Sequence, residues 1–181
     1  MNDVNVYFDN NTLPEVARAG LDLVSALAGS KYVVSVTPDL ATEYRQAIAN
    51  ERVPLAEKEL CQRLLSAAEP RGIFGFAEGG NCYSGFDYGV WATDGMVKTI
   101  QSITVTERPG KEIPKNRTDA FLAALADGAV IITNDGGSHF KRARAGGQHV
   151  YSWAEIADVT KAPSDVALDL GRLLALQLLG K

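Results

Sequence analysis

The segment NVYFDNN, residues 5–11, carries the pattern from which the fold can be inferred, because it is a short apolar strand that ends on a carboxylate. Side chains alternate through residues 5–8, which predicts a β-strand, and Asp9 follows with Asn10 and Asn11 directly behind it. Two interpretations are open. Asp and Asn favour turns because they hydrogen-bond their own backbone, whereas ligands of α/β proteins collect at the carboxyl ends of parallel strands.

The residues that follow predict a parallel α/β fold. A helix is expected over about 14–28 with Gly29 as its stop, and KYVVSV, residues 31–36, is short and β-branched enough to be a buried strand. A strand, a crossover helix and a second strand form a parallel pair. We therefore expect a three-layer α/β/α fold with a central parallel sheet.

Two further helices are expected next. Thr37 and Pro38 provide a cap and a first turn for one of them, and its apolar stripe includes Leu40. Glu43 lies three residues after Leu40 at the edge of that stripe, so its carboxylate can lean over the end of the sheet. The second helix is expected over about 54–68.

Residues at about 70–101 interrupt this pattern with interleaved glycine and aromatic residues, as in IFGFAEGGNCYSGFDYGVW. We interpret the stretch as an insertion with one or two strands. A hairpin with its own small core is preferred over a surface on which bases stack. SITVT, residues 102–106, is the best candidate for a further strand of the central sheet.

The opening pattern repeats in the last third of the chain. NRTDAFLAALADGA predicts a helix with Asp119 in its first turn. AVIIT then predicts a fully apolar strand that stops at Asn134 and Asp135, and a short basic helix and a short edge strand follow. The closing helix, at about 164–179, has leucines on more than one face, which predicts burial against a partner subunit, most simply as a homodimer.

The bulk properties narrow the class of protein. We expect one domain over residues 1–181, because 181 residues suffice for one sizeable core. No run of eighteen apolar residues and no signal-peptide pattern is present, so we expect a cytoplasmic protein with no membrane association. Cys61 and Cys82 are far apart, which predicts reduced thiols rather than a redox pair or a zinc site.

Four acidic residues occupy comparable places, with Asp9 and Asp135 at strand ends and Glu43 and Asp119 on helices. Singly, each has a structural explanation as a turn residue, a surface charge or a helix-end carboxylate. If they meet at one end of the sheet, repulsion costs about 4 kcal/mol per pair at about 4 Å in an effective dielectric near 20. A divalent cation would neutralise them, and Mg²⁺ or Mn²⁺ suits an all-carboxylate site.

The order strand-Asp, helix-Glu, helix-Asp, strand-Asp resembles the PIN-domain family of metal-dependent ribonucleases, which includes the toxins of VapBC-type toxin–antitoxin pairs. The matching stretches are FDNN, TPDLATEYRQA, NRTDAFLAALADGA and VIITNDGGSHF, and the likeness covers about residues 4–68 and 102–156. Family members often have Asp-Thr-Asn or Asp-Ser-Asn in the first stretch, where this chain has Asn10 in the middle.

The resemblance implies a metal-dependent endoribonuclease that hydrolyses RNA, with an antitoxin protein as a further expected partner. It also implies roles for individual residues. Asn11 and Thr133 would be polar supports of the metal ligands. The implied metal ligands and catalytic residues are Asp9, Glu43, Asp119 and Asp135.

Basic residues flank two of these acids and are expected to meet RNA phosphates, although a solvated helix face or loop explains each equally well. Arg117 is the strongest single candidate. His139 and His149 are expected to be structural or at the edge of the substrate rather than bases. The basic residues are Lys115, Arg117, Lys141, Arg142 and Arg144.

Two alternatives stay open. One is a PIN-fold protein that does not cut and serves as an RNA-binding or assembly module. The other, a weaker one, is a phosphatase like the haloacid dehalogenases, which need a second Asp two residues after the first, where this chain has Asn11.

Overall fold

The structure, a computed structural model, describes residues 3–74, 89–110, 112–114 and 116–156. The strands in these ranges are β1 (Val4–Phe8), β2 (Tyr32–Ser35), β3 (Ile73–Phe74), β4 (Val90–Trp91), β5 (Val130–Ile132) and β6 (Val150–Tyr151). The α-helices are α1 (Leu13–Arg18), α2 (Leu23–Leu27), α3 (Pro38–Ala49), α4 (Leu55–Ala67), α5 (Asp94–Gln101), α6 (Arg117–Leu125), α7 (Ser138–Ala145) and α8 (Trp153–Ile156).

Four strands form a parallel sheet in the order β2-β1-β5-β6, which confirms the expected parallel α/β fold. In the register of the sheet Val6 lies between Val34 of β2 and Val130 of β5. The chain goes from β1 to β2 on one side and later returns to place β5 on the other side. Strand order therefore reverses between β1 and β5, and crevices open at such points beyond the carboxyl ends of the strands.

The core of the protein surrounds β1 and β5. All three residues of β5 are buried, although successive side chains of a strand point to opposite faces, so both faces of the sheet are covered there. Leu40 and Tyr44 of α3 and Leu122 of α6 are almost fully buried in the same core. This burial is compatible with the expected three-layer arrangement.

The prediction of a single helix over about 14–28 is wrong, because the chain forms the two short helices α1 and α2 there. Gly20 has φ +65° between them, a left-handed conformation that glycine adopts at little cost. Asp22 then caps α2, and its side chain accepts hydrogen bonds from the backbone N–H groups of Val24 and Ser25. Gly20 therefore ends the first helix, and Asp22 begins the second.

SITVT was expected to add a strand to the central sheet, and this prediction is wrong. Residues 102–106 follow α5 and contribute no strand to the four-stranded sheet. Ile103 is the only buried residue among them. A β-branched sequence forms a sheet strand only where neighbouring strands and a core cover it, and here tertiary packing overrode propensity.

The described part of the insertion contains two strands, which agrees with the expected one or two, and these two do not form a hairpin with each other. β3 and β4 pair in parallel, with Ile73 opposite Val90, whereas the strands of a two-strand hairpin are antiparallel. No sequence pattern indicated α5. This helix begins after Thr93, whose side-chain oxygen accepts a hydrogen bond from the Met96 N–H at 3.1 Å. Residues 75–88 with Cys82, and the expected closing helix at 164–179, lie outside the described residues.

Among the described residues, none of the helices has the length and apolar character needed to cross a membrane.

We expect Leu122→Ala to lower the free energy of unfolding by about 2–5 kcal/mol, because it leaves a cavity in a fully buried part of the core. Leu55→Ala is the matched control. Leu55 is 71% exposed, so the same change should alter stability by less than about 0.5 kcal/mol. Urea denaturation of both variants measures the difference, and equal effects would contradict this description of the core.

Candidate metal centre

The carboxyl ends of β1 and β5 lie side by side at the point where the strand order reverses. The Asp9 N–H donates to the Ile132 carbonyl at 2.9 Å, which continues the pairing of the two strands up to the candidate site. The Asp9 side chain is buried there, with 5% of the residue exposed. Its Oδ2 accepts hydrogen bonds from Thr133 Oγ1 at 2.6 Å and from Asn11 Nδ2 at 2.8 Å.

Asn11 joins the ends of the two strands. Its Nδ2 also approaches Thr133 Oγ1 at 3.3 Å, and its Oδ1 accepts from the Asn134 N–H at 2.9 Å. Thr133 Oγ1 accepts in turn from the Asp135 N–H at 3.0 Å. The two residues expected to support the site therefore do contact Asp9, and they connect it to the segment that carries Asp135.

Two buried hydroxyl groups hold the backbone beneath Asp9, and the sequence did not indicate either role. Thr12 Oγ1 donates to the Asp9 carbonyl at 2.7 Å, so the Thr12 side chain closes the turn after β1 and does not cap α1. The Tyr44 hydroxyl donates to the Phe8 carbonyl and ties α3 to the end of the same strand.

The other two candidate acids near Asp9 are on helices, Glu43 on α3 and Asp119 on α6. Thr118 Oγ1 donates to Glu43 Oε1 at 2.7 Å, which orients that carboxylate. One turn earlier on α3, Asp39 accepts two hydrogen bonds from the Arg117 guanidinium, at 2.7 and 2.8 Å. This two-point pairing fixes α6 against α3, so the guanidinium of the strongest candidate for RNA contact is engaged with a carboxylate. Thr118 and Asp39 were not singled out from the sequence.

Burial and neighbouring negative charges raise the pKa of Asp9 and of Glu43. Burial is the largest cause for Asp9, and the charges of Asp119 and Asp135 add to it, so its pKa rises to about 6 despite the hydrogen bond from Thr133. Burial is also the largest cause for Glu43, whose pKa rises to about 7 with contributions from Asp9 and Asp119. Asp9 is therefore within electrostatic range of Asp119 and Asp135, and Glu43 is within electrostatic range of Asp9 and Asp119.

The pKa of Asp119 is raised by burial and then by the charge of Asp135, while His139 and Arg108 oppose the rise. Asp135 Oδ1 accepts from the Gly137 N–H at 2.8 Å, which holds the carboxylate in the turn after β5. In the described ranges no lysine or arginine forms an ion pair with any of the four acids. A cluster of oxygen ligands without a paired cation is chemically suited to Mg²⁺ or Mn²⁺.

The side chains do not form a closed coordination shell. In the part of the chain that the structure describes, no three Asp, Glu, His or Cys side chains are grouped closely enough to hold an ion. Metal binding would have to draw the carboxylates closer together. The chemistry of the donors fits a divalent cation, while their spacing is wider than in a loaded site.

A cleft of about 330 Å³ opens beside Glu43 and Asp119. Gln46, Arg108 and Asn116 contribute to its lining, so amide and guanidinium groups stand next to the two acids. Arg108 was missed from the sequence because it lies in a turn-rich segment with no periodicity. Its positive charge acts on Asp119 and is placed to attract an anionic substrate.

The other basic candidates differ in their surroundings. Arg144 donates from Nε to the Val150 carbonyl at 3.0 Å, so this group supports the backbone of the edge strand. Lys141 and Arg142 are exposed on α7, and Lys115 lies outside the described residues. His149 contacts the Tyr151 hydroxyl at 3.1 Å on the edge strand, in keeping with a structural role.

Comparisons of the chain with protein-family models, with curated proteins and with solved structures found no match. The functional assignment therefore rests on the sequence pattern and on the geometry of this site.

The shifted carboxyl groups predict how stability depends on pH in metal-free buffer. The folded protein binds protons more tightly than the unfolded chain between pH 3.8 and about 6 at Asp9, and between pH 4.5 and about 7 at Glu43. We therefore expect these two groups to lower the free energy of unfolding as pH rises through those windows. Urea denaturation at a series of pH values measures this dependence.

Asp9→Asn removes one of the two titrating groups and should make that decline shallower. Glu51→Gln is the control, since Glu51 is exposed in the loop after α3 and its replacement should leave the slope at the wild-type value. If stability falls equally steeply with pH in Asp9→Asn and in the wild type, the pKa of Asp9 is not raised in the folded protein.

Proposed function

We propose that this chain is a metal-dependent endoribonuclease with a PIN-like fold, in which Asp9, Glu43, Asp119 and Asp135 hold Mg²⁺ or Mn²⁺. The observation that carries the proposal is that acids from separate segments lie near one another. Asn11 and Thr133 connect Asp9 to the Asp135 backbone, and Glu43 and Asp119 line one cleft. Burial and the charges of neighbouring acids raise the pKa of Asp9, Glu43 and Asp119, and the described residues supply no paired cation. Repulsion between such carboxylates destabilises the folded protein unless a bound cation neutralises them, and destabilising features of this kind are typical of functional sites.

The chemistry follows from the type of site. A bound divalent cation makes water easier to deprotonate and stabilises the charge that develops on a phosphate under attack. The chain's own groups orient the ligands, with Asn11 and Thr133 holding Asp9 and Thr118 holding Glu43. Arg108, in the cleft, would orient a substrate phosphate by its charge. No histidine or cysteine nucleophile is required.

The proposed substrate is single-stranded or looped RNA. Bases and phosphates of unpaired RNA can splay apart, so a phosphate can reach an acidic cleft that a regular duplex would not enter. The cleft beside Glu43 and Asp119 is lined mainly by polar groups, as a site for a sugar-phosphate backbone requires. The net charge of −4 means that local basic groups have to attract the RNA.

The wide spacing of the carboxylates supports a second candidate, a PIN-fold module that binds RNA without cutting it. The phosphatase alternative has less support. Asn11 stands where the second Asp is needed, and both ends of its amide group are occupied by Asp9, Thr133 and the Asn134 backbone.

Cleavage of mixed single-stranded RNA in Mn²⁺ or Mg²⁺ tests the main proposal. We expect wild-type cleavage that a chelator abolishes. Asp9→Asn and Asp135→Asn should each lower the cleavage rate more than about 100-fold. Mutating a residue that only hydrogen-bonds a metal ligand already costs about 10–100-fold, and these two changes alter the ligands themselves. Glu51→Gln, at an exposed position, serves as the matched charge control.

The outcomes separate the candidates. Equal cleavage by wild type and by both Asp→Asn variants would identify a contaminating nuclease and overturn the proposal. Absence of cleavage in every sample, with RNA binding intact, would favour the non-cutting module.

The resemblance extends the proposal to a toxin that an antitoxin protein neutralises. The sequence pattern adds a cytoplasmic location and a homodimer formed through the leucine-rich C-terminal segment. Expression in bacteria should then arrest growth, and the product of the neighbouring gene should relieve the arrest. Colony counts after induction measure this, with Asp9→Asn as the inactive control. Harmless expression of a folded wild-type protein would count against a toxin.

A further inference from the structure

A second groove, of about 300 Å³, lies between α5 and α7. It is separate from the cleft at Glu43, and α5 forms one of its walls. Ile103 and the small residues Ala143 and Gly146 complete it. Its polar lining consists of Lys98, Thr99, Ser102, His139, Arg142 and Gln148.

The lining of this groove is basic and contains no carboxylate, although the chain as a whole is acidic. Lys98 and Arg142 are exposed, and neither forms an ion pair within the described residues. The Arg142 guanidinium is steadied by the Ser138 carbonyl at 3.3 Å and by His139 Nδ1 at 3.4 Å, which leaves other N–H groups for a ligand. An anion therefore fits this groove better than a neutral or cationic ligand.

The groove adjoins the acidic cluster. α7, which forms one wall of the groove, begins three residues after Asp135, and His139 in its first turn lines the groove. The first turn of α7 therefore connects the basic groove to the segment that carries the candidate ligand Asp135. A ligand long enough to extend past His139 would meet both.

We propose that the groove between α5 and α7 binds backbone phosphates of the RNA strand next to the phosphate that is cut. This inference rests on the proposed function. Lys98 and Arg142 neutralise the phosphates, and Thr99, Ser102 and Gln148 supply the hydroxyl and amide groups that commonly contact phosphate or sugar oxygens. A basic groove that follows the backbone is how single strands are held without sequence preference.

The test measures RNA binding rather than cleavage. A fluorescent single-stranded RNA is titrated with full-length protein in chelator, which prevents hydrolysis, and anisotropy is read over a series of salt concentrations. Each lost phosphate contact should reduce the slope of log affinity against log salt by about 0.7. We expect weaker binding at low salt and this reduction for both Lys98→Met and Arg142→Met.

Lys58→Met is the matched control, because it removes the same charge from α4, which lies outside the groove. It should keep the wild-type slope. Unfolding midpoints of all variants establish that they are folded, and Arg142→Met provides the reading if Lys98→Met does not fold.

The result distinguishes the groove from the nuclease activity. RNA binding that depends on Lys98 and Arg142, without cleavage in metal, supports the groove and counts against the nuclease. Cleavage with a salt slope that neither variant changes supports the nuclease and overturns the groove. A wild-type protein that binds no RNA overturns both.

Discussion

The structure depends on one buried carboxylate at the junction of two strands. Asp9 is withdrawn from water where β1 and β5 end, and the hydrogen bonds from Thr133 and Asn11 offset only part of the desolvation cost, because its pKa stays raised to about 6. Those same bonds join the ends of the two strands. The feature that opposes folding is therefore also the one that organises the site.

The helices complete this arrangement by bringing further charge to the same place. The Arg117–Asp39 ion pair and the Thr118–Glu43 hydrogen bond fix α6 against α3 with Glu43 facing the other acids. The Tyr44 hydroxyl ties α3 to β1. A rigid support of this kind lets several carboxylates share one site without swinging apart into solvent, which a metal centre requires for its ligands.

Charge of both signs is ordered around the site. Arg108 and Asp119 line the acidic cleft together, and the groove between α5 and α7 is lined by Lys98, His139 and Arg142. Under the proposed function the acidic residues would bind a cation and the basic residues would bind phosphates, which are the two requirements of phosphodiester hydrolysis. On that proposal, local basic groups would let an acidic chain bind RNA.

The sequence by itself determined the parallel sheet and the places of Asp9 and Asp135 after the ends of two of its strands. Apolar strands followed by Asp9 and Asp135 can be recognised from the sequence, and the carboxyl ends of parallel strands lie at the same edge of the sheet. Tertiary structure alone decided that residues 102–106 join no sheet, that β3 and β4 pair in parallel, and that Arg117 engages Asp39. Each of these depends on a partner distant in the chain, and local periodicity carries no information about such partners.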